Sequence, residues 1–274
     1  MKIEAEHPNT VARRSRCNVC GGNLKSVFEV RILGDVSTQL YRCVNCQCSF
    51  FVDPIWLDRA YSLPISKLDT GISQRADDIT NILTCFLLAK SGDSSGLDFG
   101  GGIGLLSRKL RDRGFCWFSS DPKTSSVFPQ PELPTDGRFG VVSLIEVLEH
   151  LVEPLETLRE LSLRTDQIFI STLLIPKLEI EETWWYLQLE TGQHIFFLSH
   201  LGLLKLGTDL NMKVYTNGHN LHVLSHNRIS FLQLCTIKFQ KITWVVGWLL
   251  GGVRRSRSLS HSDYFQALGQ VDNS

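Results

Sequence analysis

Leu97-Asp98-Phe99-Gly100-Gly101-Gly102-Ile103-Gly104 is the stretch whose reading decides the fold. Gly96 to Phe99 reads as a short buried strand. Four glycines follow within five residues, and Leu105-Leu106-Ser107-Arg108-Lys109-Leu110 then restarts at helical spacing. Strand, glycine turn and helix in that order make a ligand cradle. Glycine takes φ > 0 without a Cβ penalty and lets a ligand lie on the main chain. The first N–H groups of the following helix have no partner inside the helix and face that ligand. The plain alternative is a turn that only packs a helix on a sheet.

A dinucleotide fingerprint wants G-x-G-x-x-G, and Leu105 occupies its third glycine. What stands here is Asp98-x-Gly100-x-Gly102-x-Gly104, with an acid at the end of the strand. A carboxylate there repels a pyrophosphate and suits a ligand with a cationic amine and sugar hydroxyls. The pattern resembles motif I of the class I S-adenosylmethionine-dependent methyltransferases. That resemblance implies S-adenosyl-L-methionine as cofactor, with Asp98, Gly100, Gly102 and Gly104 around it. Phe115-Cys116-Trp117-Phe118 reads as the next parallel strand, and Asp121 follows it, 21 residues past Gly100. An acid there is placed to accept hydrogen bonds from ribose hydroxyls, although Asp121-Pro122 also reads as a plain turn.

The 274 residues suffice for one good core and a small appendage. A hydrophobic fraction of 43% against 20% charged residues indicates a globular chain. Lys+Arg and Asp+Glu are both 28, which argues against a dedicated nucleic-acid binder. Met1 to Arg16 has no apolar core and reads as a tail rather than a signal peptide. Eight cysteines without such a signal point to a reducing, cytoplasmic setting, where cysteines more often hold metal than form disulfides. Cys17-x-x-Cys20 and Cys43-x-x-Cys46 are two knuckles that together offer a closed, tetrahedral S4 site for a structural zinc. Chance thiols or a disulfide pair are the alternatives, and Cys48 is a substitute for Cys46.

Ile79, Ile82, Leu83, Phe86 and Leu87 carry helical periodicity between Ile72 and Lys90. Gln74 and Arg75, near its start, either reach the cofactor carboxylate or sit on a solvated face. Residues 122–137, rich in Pro, Ser and Thr, read as a loop where many class I methyltransferases have a third strand and helix. Val141 to Ile145 is an apolar run ending in Glu146-Val147-Leu148-Glu149-His150-Leu151. This resembles the E-V-L-E-H-L stretch after strand four of many small-molecule methyltransferases, which implies that Glu146 lines the adenosine site. Those relatives usually have Asp where Gly140 stands. Glu149 and His150 face the acceptor or cap the next helix. A helix over Pro154–Leu163 and a strand over Gln167–Thr172 complete a βαβ rhythm.

Glu179 to Ser199 departs from that rhythm. It carries Trp184-Trp185-Tyr186 and then Gly192-Gln193-His194-Ile195-Phe196-Phe197 beyond strand five, at the carboxyl edge where open sheets bind ligands. It resembles a W-W-Y…G-Q-H segment of zinc-ribbon-bearing methyltransferases among sugar-modifying enzymes. In related sugar C-methyltransferases a Glu-His pair stands here and the His is general base. That implies His194 as base, with His150 in reserve, while Gln193 removes a carboxylate that orients the ring. A His within an aromatic cluster is the structural alternative, as the three aromatics are equally a stacking face or ordinary core.

Ser199–Leu210 reads as a helix, and a hairpin across Asn217-Gly218 closes the sheet. His219, His222 and His226 read as surface strand histidines rather than metal ligands. Ile242 to Val253 is uncharged, carries two Trp and runs into Arg254-Arg255-Ser256-Arg257. Twelve residues are too few to span a bilayer, which takes about 20. An interfacial helix, a dimer contact and a helix docked on the sheet all remain open for residues 242–257.

The expectation is therefore an α/β fold: a Rossmann-like, doubly wound, mostly parallel seven-stranded sheet with a small N-terminal zinc-ribbon module. Its parts are a tail at 1–16, the zinc module at 17–52, a linker and leading helix at 53–95, the methyltransferase domain at 96–230, and a C-terminal helix and tail at 231–274. The expected activity is methyl transfer to a small-molecule or sugar-type acceptor, with no nucleic-acid partner. Gly140 and Gln193 leave open a catalytically inactive cofactor-binding scaffold or a zinc-ribbon partner-binding protein.

Overall fold

The computed structural model describes residues 16–62, 69–134, 137–176 and 180–271. Most of the expected N-terminal tail, the end of the linker at Leu63-Pro64 and the start of the aromatic stretch at Glu179 lie outside the described residues. In chain order the strands and helices are β1 (Leu24–Ile32), β2 (Val36–Cys43), β3 (Ser49–Phe51), α1 (Leu57–Ala60), α2 (Ile72–Leu88), β4 (Gly96–Phe99), α3 (Leu105–Arg111), β5 (Trp117–Ser120) and β6 (Val141–Ile145). They continue with α4 (Pro154–Ser162), β7 (Gln167–Ser171), β8 (Phe196–Phe197), α5 (His200–Asp209), β9 (Lys213–Thr216), β10 (Leu221–Ser225), α6 (Phe231–Lys238), α7 (Gln240–Arg254) and α8 (Ser260–Val271).

The larger sheet runs β5-β4-β6-β7-β10-β9. Its first four strands are parallel, and β10 and β9 close it as an antiparallel hairpin. Alternate side chains along each strand point to opposite faces, and both faces are covered. Val142, Leu144, Ile168 and Ile170 bury one face with Leu158 of α4 and Leu203 and Leu206 of α5. Val141, Phe169 and Val223 bury the other with Leu83 and Phe86 of α2, Leu110 of α3 and Ile237 of α6. Chain order reverses at β4, whose neighbours are β5 on one side and β6 on the other. The carboxyl ends of these strands form the crevice where open α/β sheets take ligands.

Six strands stand among the described residues where seven were expected. The prolines at 122, 129, 131 and 134 withhold ladder donors, and no strand forms over 122–134. Gln130 instead caps the edge strand β5: its amide accepts from the Ser119 N–H at 2.8 Å and donates to the Ser119 carbonyl at 3.0 Å.

The smaller sheet is antiparallel, in the order β1-β2-β3-β8. Its last strand comes from far along the chain, with Phe50 paired to Phe196 and Ser49 to Phe197. The N-terminal segment is thereby stitched to the residues just after His194. One expectation fails in the closing hairpin. His222 is fully buried rather than on the surface: one ring nitrogen lies 2.7 Å from the Thr216 hydroxyl and the other 3.0 Å from the Thr172 carbonyl. Strand β10 lies between β7 and β9 under helices on both faces, so its polar side chain is satisfied inside the core.

Candidate functional site

The glycine loop turns sharply out of β4. Gly100, Gly102 and Gly104 all have positive φ, at 72°, 54° and 81°. A Cβ on Gly100 would lie 2.6 Å from the Val147 side chain, so this glycine lets the loop close on the segment after β6. A Cβ on Gly102 would meet nothing within 4 Å. That is where the loop offers bare main chain to open space.

Asp98 is buried beneath this loop and accepts a hydrogen bond from the Ser143 hydroxyl at 2.8 Å. Burial pushes its carboxyl up to about 7, the Ser143 bond opposing and the Asp121 charge adding. Asp121 reaches the loop from the end of β5. One oxygen accepts from the Gly102 N–H at 3.0 Å and the other from the N–H groups of Lys123 and Thr124 at 2.8 and 3.0 Å. Both oxygens of this carboxylate thus serve the turn and the glycine loop.

Glu146 ends β6 with φ 52°, a left-handed conformation that a non-glycine residue holds at a cost of about 1–3 kcal/mol. It accepts a hydrogen bond from Ser171 at the end of the neighbouring strand. Burial, with the Glu149 charge adding, pushes its carboxyl up to about 8.

Glu149, read as facing the acceptor or capping the next helix, is fully buried. Its Oε1 accepts from the Tyr186 hydroxyl at 2.6 Å, and its Oε2 is buried without a hydrogen-bond partner. Burial raises its carboxyl above the usual range. Ligand-type atoms of Glu149, His150 and His194 lie within 4.8 Å of one another. His194 is buried, its ring edge-on to those of His150 at 4.9 Å and Tyr186 at 4.6 Å between centroids. Its Nδ1 lies 2.7 Å from the Tyr186 carbonyl. A carbonyl only accepts, so Nδ1 carries the proton and Nε2 keeps its lone pair. Burial lowers the pKa of His194 and holds the ring neutral. His150 is lowered by burial to about 3, and its Nδ1 lies 2.8 Å from the Tyr61 hydroxyl.

Both departures from the expected pattern have physical accounts. A Cβ on Gly140 would lie 2.0 Å from the Asp93 carbonyl oxygen, so only glycine fits there. Gly140 also precedes β6, at the opposite end of the strand from Glu146. The Gln193 amide donates to the Ala60 carbonyl at 3.1 Å and ties the His194 segment to α1. The His194 ring is oriented by the Tyr186 carbonyl instead. Of the three aromatics, Tyr186 is buried by its bond to Glu149, Trp184 packs partly buried against it, and Trp185 is exposed. Arg75 pairs with Asp69 at 2.7 Å, while Gln74 bonds Asp78 on the solvated face of α2.

The four expected metal thiols converge. Cys17 and Cys46 sulfurs lie 3.5 Å apart, Cys20 and Cys43 sulfurs 3.4 Å, and all four fall within 4.8 Å. Backbone N–H groups of Val19 and Asn45 point at the Cys17 and Cys43 sulfurs at 3.4 Å. Four thiolates about 3.8 Å apart surround a Zn²⁺ with Zn–S bonds of about 2.3 Å, so this donor set fits the ion. Cys48 lies outside the cluster, 3.8 Å from the Ser199 hydroxyl.

Residues 72–217 match the family model described as a methyltransferase domain, over more than half of the chain. The chain belongs to this methyltransferase-domain family. Similar solved structures include magnesium protoporphyrin IX methyltransferase (ChlM) from Synechocystis PCC 6803 with bound SAH, 17% identical. That match covers 61% of this methyltransferase and 90% of ChlM, with a TM-score of 0.39. Another is OxaC in complex with sinefungin and meleagrin, 14% identical, covering 52% of this chain and 45% of OxaC, with a TM-score of 0.38. The methyltransferase thus spans less than half of OxaC. A comparison with curated proteins yields no match.

Proposed function

We propose that this methyltransferase takes a methyl group from S-adenosyl-L-methionine and places it on a small-molecule or sugar-type acceptor, with His194 as base and a structural zinc in the N-terminal sheet. The donor supplies an electrophilic methyl on a sulfonium. The acceptor atom attacks that carbon as the carbon–sulfur bond breaks, and the bonding pair stays on sulfur. The acceptor proton goes to Nε2 of His194. Gly100, Gly102 and Gly104 shape the donor cradle, Asp98 lies beneath it, Asp121 receives ribose hydroxyls, and Glu146 borders the adenosine. Cys17, Cys20, Cys43 and Cys46 hold the zinc. A closed S4 site leaves no position for substrate, so the metal's work is to fold the module whose β3 pairs with β8.

The observation that carries this reading is the tautomer of His194. It is a neutral imidazole with its free lone pair beside the carboxyl ends of β6 and β7, as general-base catalysis requires. Holding donor and acceptor at attack distance supplies the rest of the rate. The test uses methyl-labelled donor with monosaccharides and their phosphate esters as acceptors. The wild type is expected to label an acceptor, and His194→Gln to lose about a hundredfold in turnover with donor affinity unchanged. Donor binding with no labelled product on any acceptor would favour the inactive scaffold instead.

A further inference from the structure

Helix α7 is packed inside out. Its buried residues are Thr243, Gly247 and Gly251, spaced four apart on one face. That face sits hard against α2 and Arg113: a Cβ on Gly247 would lie 2.0 Å from the Asn81 carbonyl oxygen, and one on Gly251 2.6 Å from the Arg113 guanidinium. Arg113 locks the arrangement by donating to Asn81 at 2.6 Å, to Thr84 at 2.8 Å and to the Gly247 carbonyl at 3.2 Å. The large apolar residues are left outside. Ile242, Val245, Val246, Leu249 and Val253 recur at helical spacing as one exposed stripe, flanked by exposed Trp248. An ordinary surface helix turns such a stripe inward. Contiguous exposed apolar surface of this size marks a site of interaction.

The charge around the stripe says with what. No acidic residue stands between Asp209 and Asp263, while seven Lys and Arg do, although the chain as a whole is neutral. Lys238 and Lys241 flank the start of α7 and Arg255 and Arg257 its end; all four are exposed, and none forms an ion pair among the described residues. A second copy seated by a twofold axis would bring this basic rim against itself. An anionic lipid surface satisfies both the apolar stripe and the cations. Among the described residues no helix is long and apolar enough to cross a membrane, so the helix would lie in the interface.

We infer that α7 docks this protein on an anionic lipid bilayer, with Ile242, Leu249 and Trp248 entering the acyl boundary and the flanking Lys and Arg on the headgroups. The inference stands apart from the methyl-transfer reading and draws on none of its residues. The experiment is cosedimentation of the full chain with phosphatidylcholine vesicles, with and without phosphatidylserine, at low and high salt. Sedimentation without lipid reads the oligomeric state. The expected result is binding at least about tenfold stronger with phosphatidylserine and weakened by salt. Leu249→Asp, and Arg255→Glu with Arg257→Glu, each lose about tenfold while their melting temperatures stay at the wild-type value. Trp248 emission shifts to the blue on binding, and the shift is gone in Trp248→Phe. Equal or absent binding to both vesicles would overturn the inference. So would a lipid-free dimer that Leu249→Asp dissolves, which would make this face a contact between copies.

Discussion

Glu146 holds a left-handed backbone and a carboxyl raised to about 8 at the mouth of the candidate site. The sign of its pH effect follows. The folded state keeps the proton that the unfolded chain releases near pH 4.5, so the stability it contributes is full below pH 4.5 and is lost as pH rises through about 8. Glu146→Gln should flatten the fall in melting temperature between pH 5 and 9, by on the order of 2 kcal/mol given the side chain's partial exposure. Thermal melts across that range on both proteins check it. His194 has the opposite sign. Its pKa is depressed, so the ring stays unprotonated, as the proposed base requires, when pH falls below the ordinary histidine value of 6.5. Turnover at saturating donor should persist further into acid than an unperturbed histidine would allow, and the acid limb of the profile should change in His194→Asn. At this scale the sequence showed where residues stand along the chain better than how they are buried. Residue type and spacing put Asp98 in a strand before the glycine loop and Asp121 just past the next strand, and both stand there. The burial of Glu149 and His222 was not legible, because their partners, Tyr186, Thr216 and Thr172, meet them only through folding.

Strand β8 is two residues long, yet it joins the cysteine module to His194. The Phe51 N–H donates to the Ile195 carbonyl at 3.0 Å, and the Ile195 N–H donates to the Glu149 carbonyl at 2.8 Å. Loss of the proposed zinc should therefore be felt at His194. Cys43→Ser is expected to abolish stoichiometric zinc by elemental analysis and to lower the melting temperature by several degrees. It should also cut turnover more than donor affinity. Chelator treatment of the wild type should do the same. Helical periodicity gave α2, α4 and α5 to within a few residues, since each buries one stripe. The two-residue β8 carries no periodicity of its own, and its pairing with β3 depends on residues nearly 150 positions apart. For the same reason the sequence left α7 undecided: its pattern is amphipathic, but which face turns inward is set by the small residues against α2.

The molecule as a whole is a mostly parallel sheet covered on both faces, as the alternation of short apolar strands and helices implied. That six strands rather than seven stand among the described residues follows from the prolines of 122–134, which the sequence showed plainly as a loop without showing that Gln130 would cap the edge. The C-terminal end is held by a buried cluster: Asp263 of α8 pairs with Arg108 at 2.7 Å and with Arg111, both on α3. Breaking a buried pair strands the remaining charge. Asp263→Ala should cost about 3 kcal/mol in denaturant unfolding, against less than about 1 kcal/mol for the exposed pair partner Asp166→Ala. Helix α3 also follows the glycine loop directly, so this anchor steadies the cradle.

The central claim is that the glycine loop takes S-adenosyl-L-methionine, and titration calorimetry on wild type and Gly102→Val tests it most directly. A Cβ at Gly102 meets no protein atom, so the variant should fold; valine at φ 54° adds local strain and fills the space where the donor would lie. The account predicts micromolar binding of the donor to wild type, none of NAD, and loss of at least about tenfold in affinity in the variant at an otherwise retained fold. Wild type that binds NAD instead, or a variant that binds the donor as well as wild type does, would contradict it.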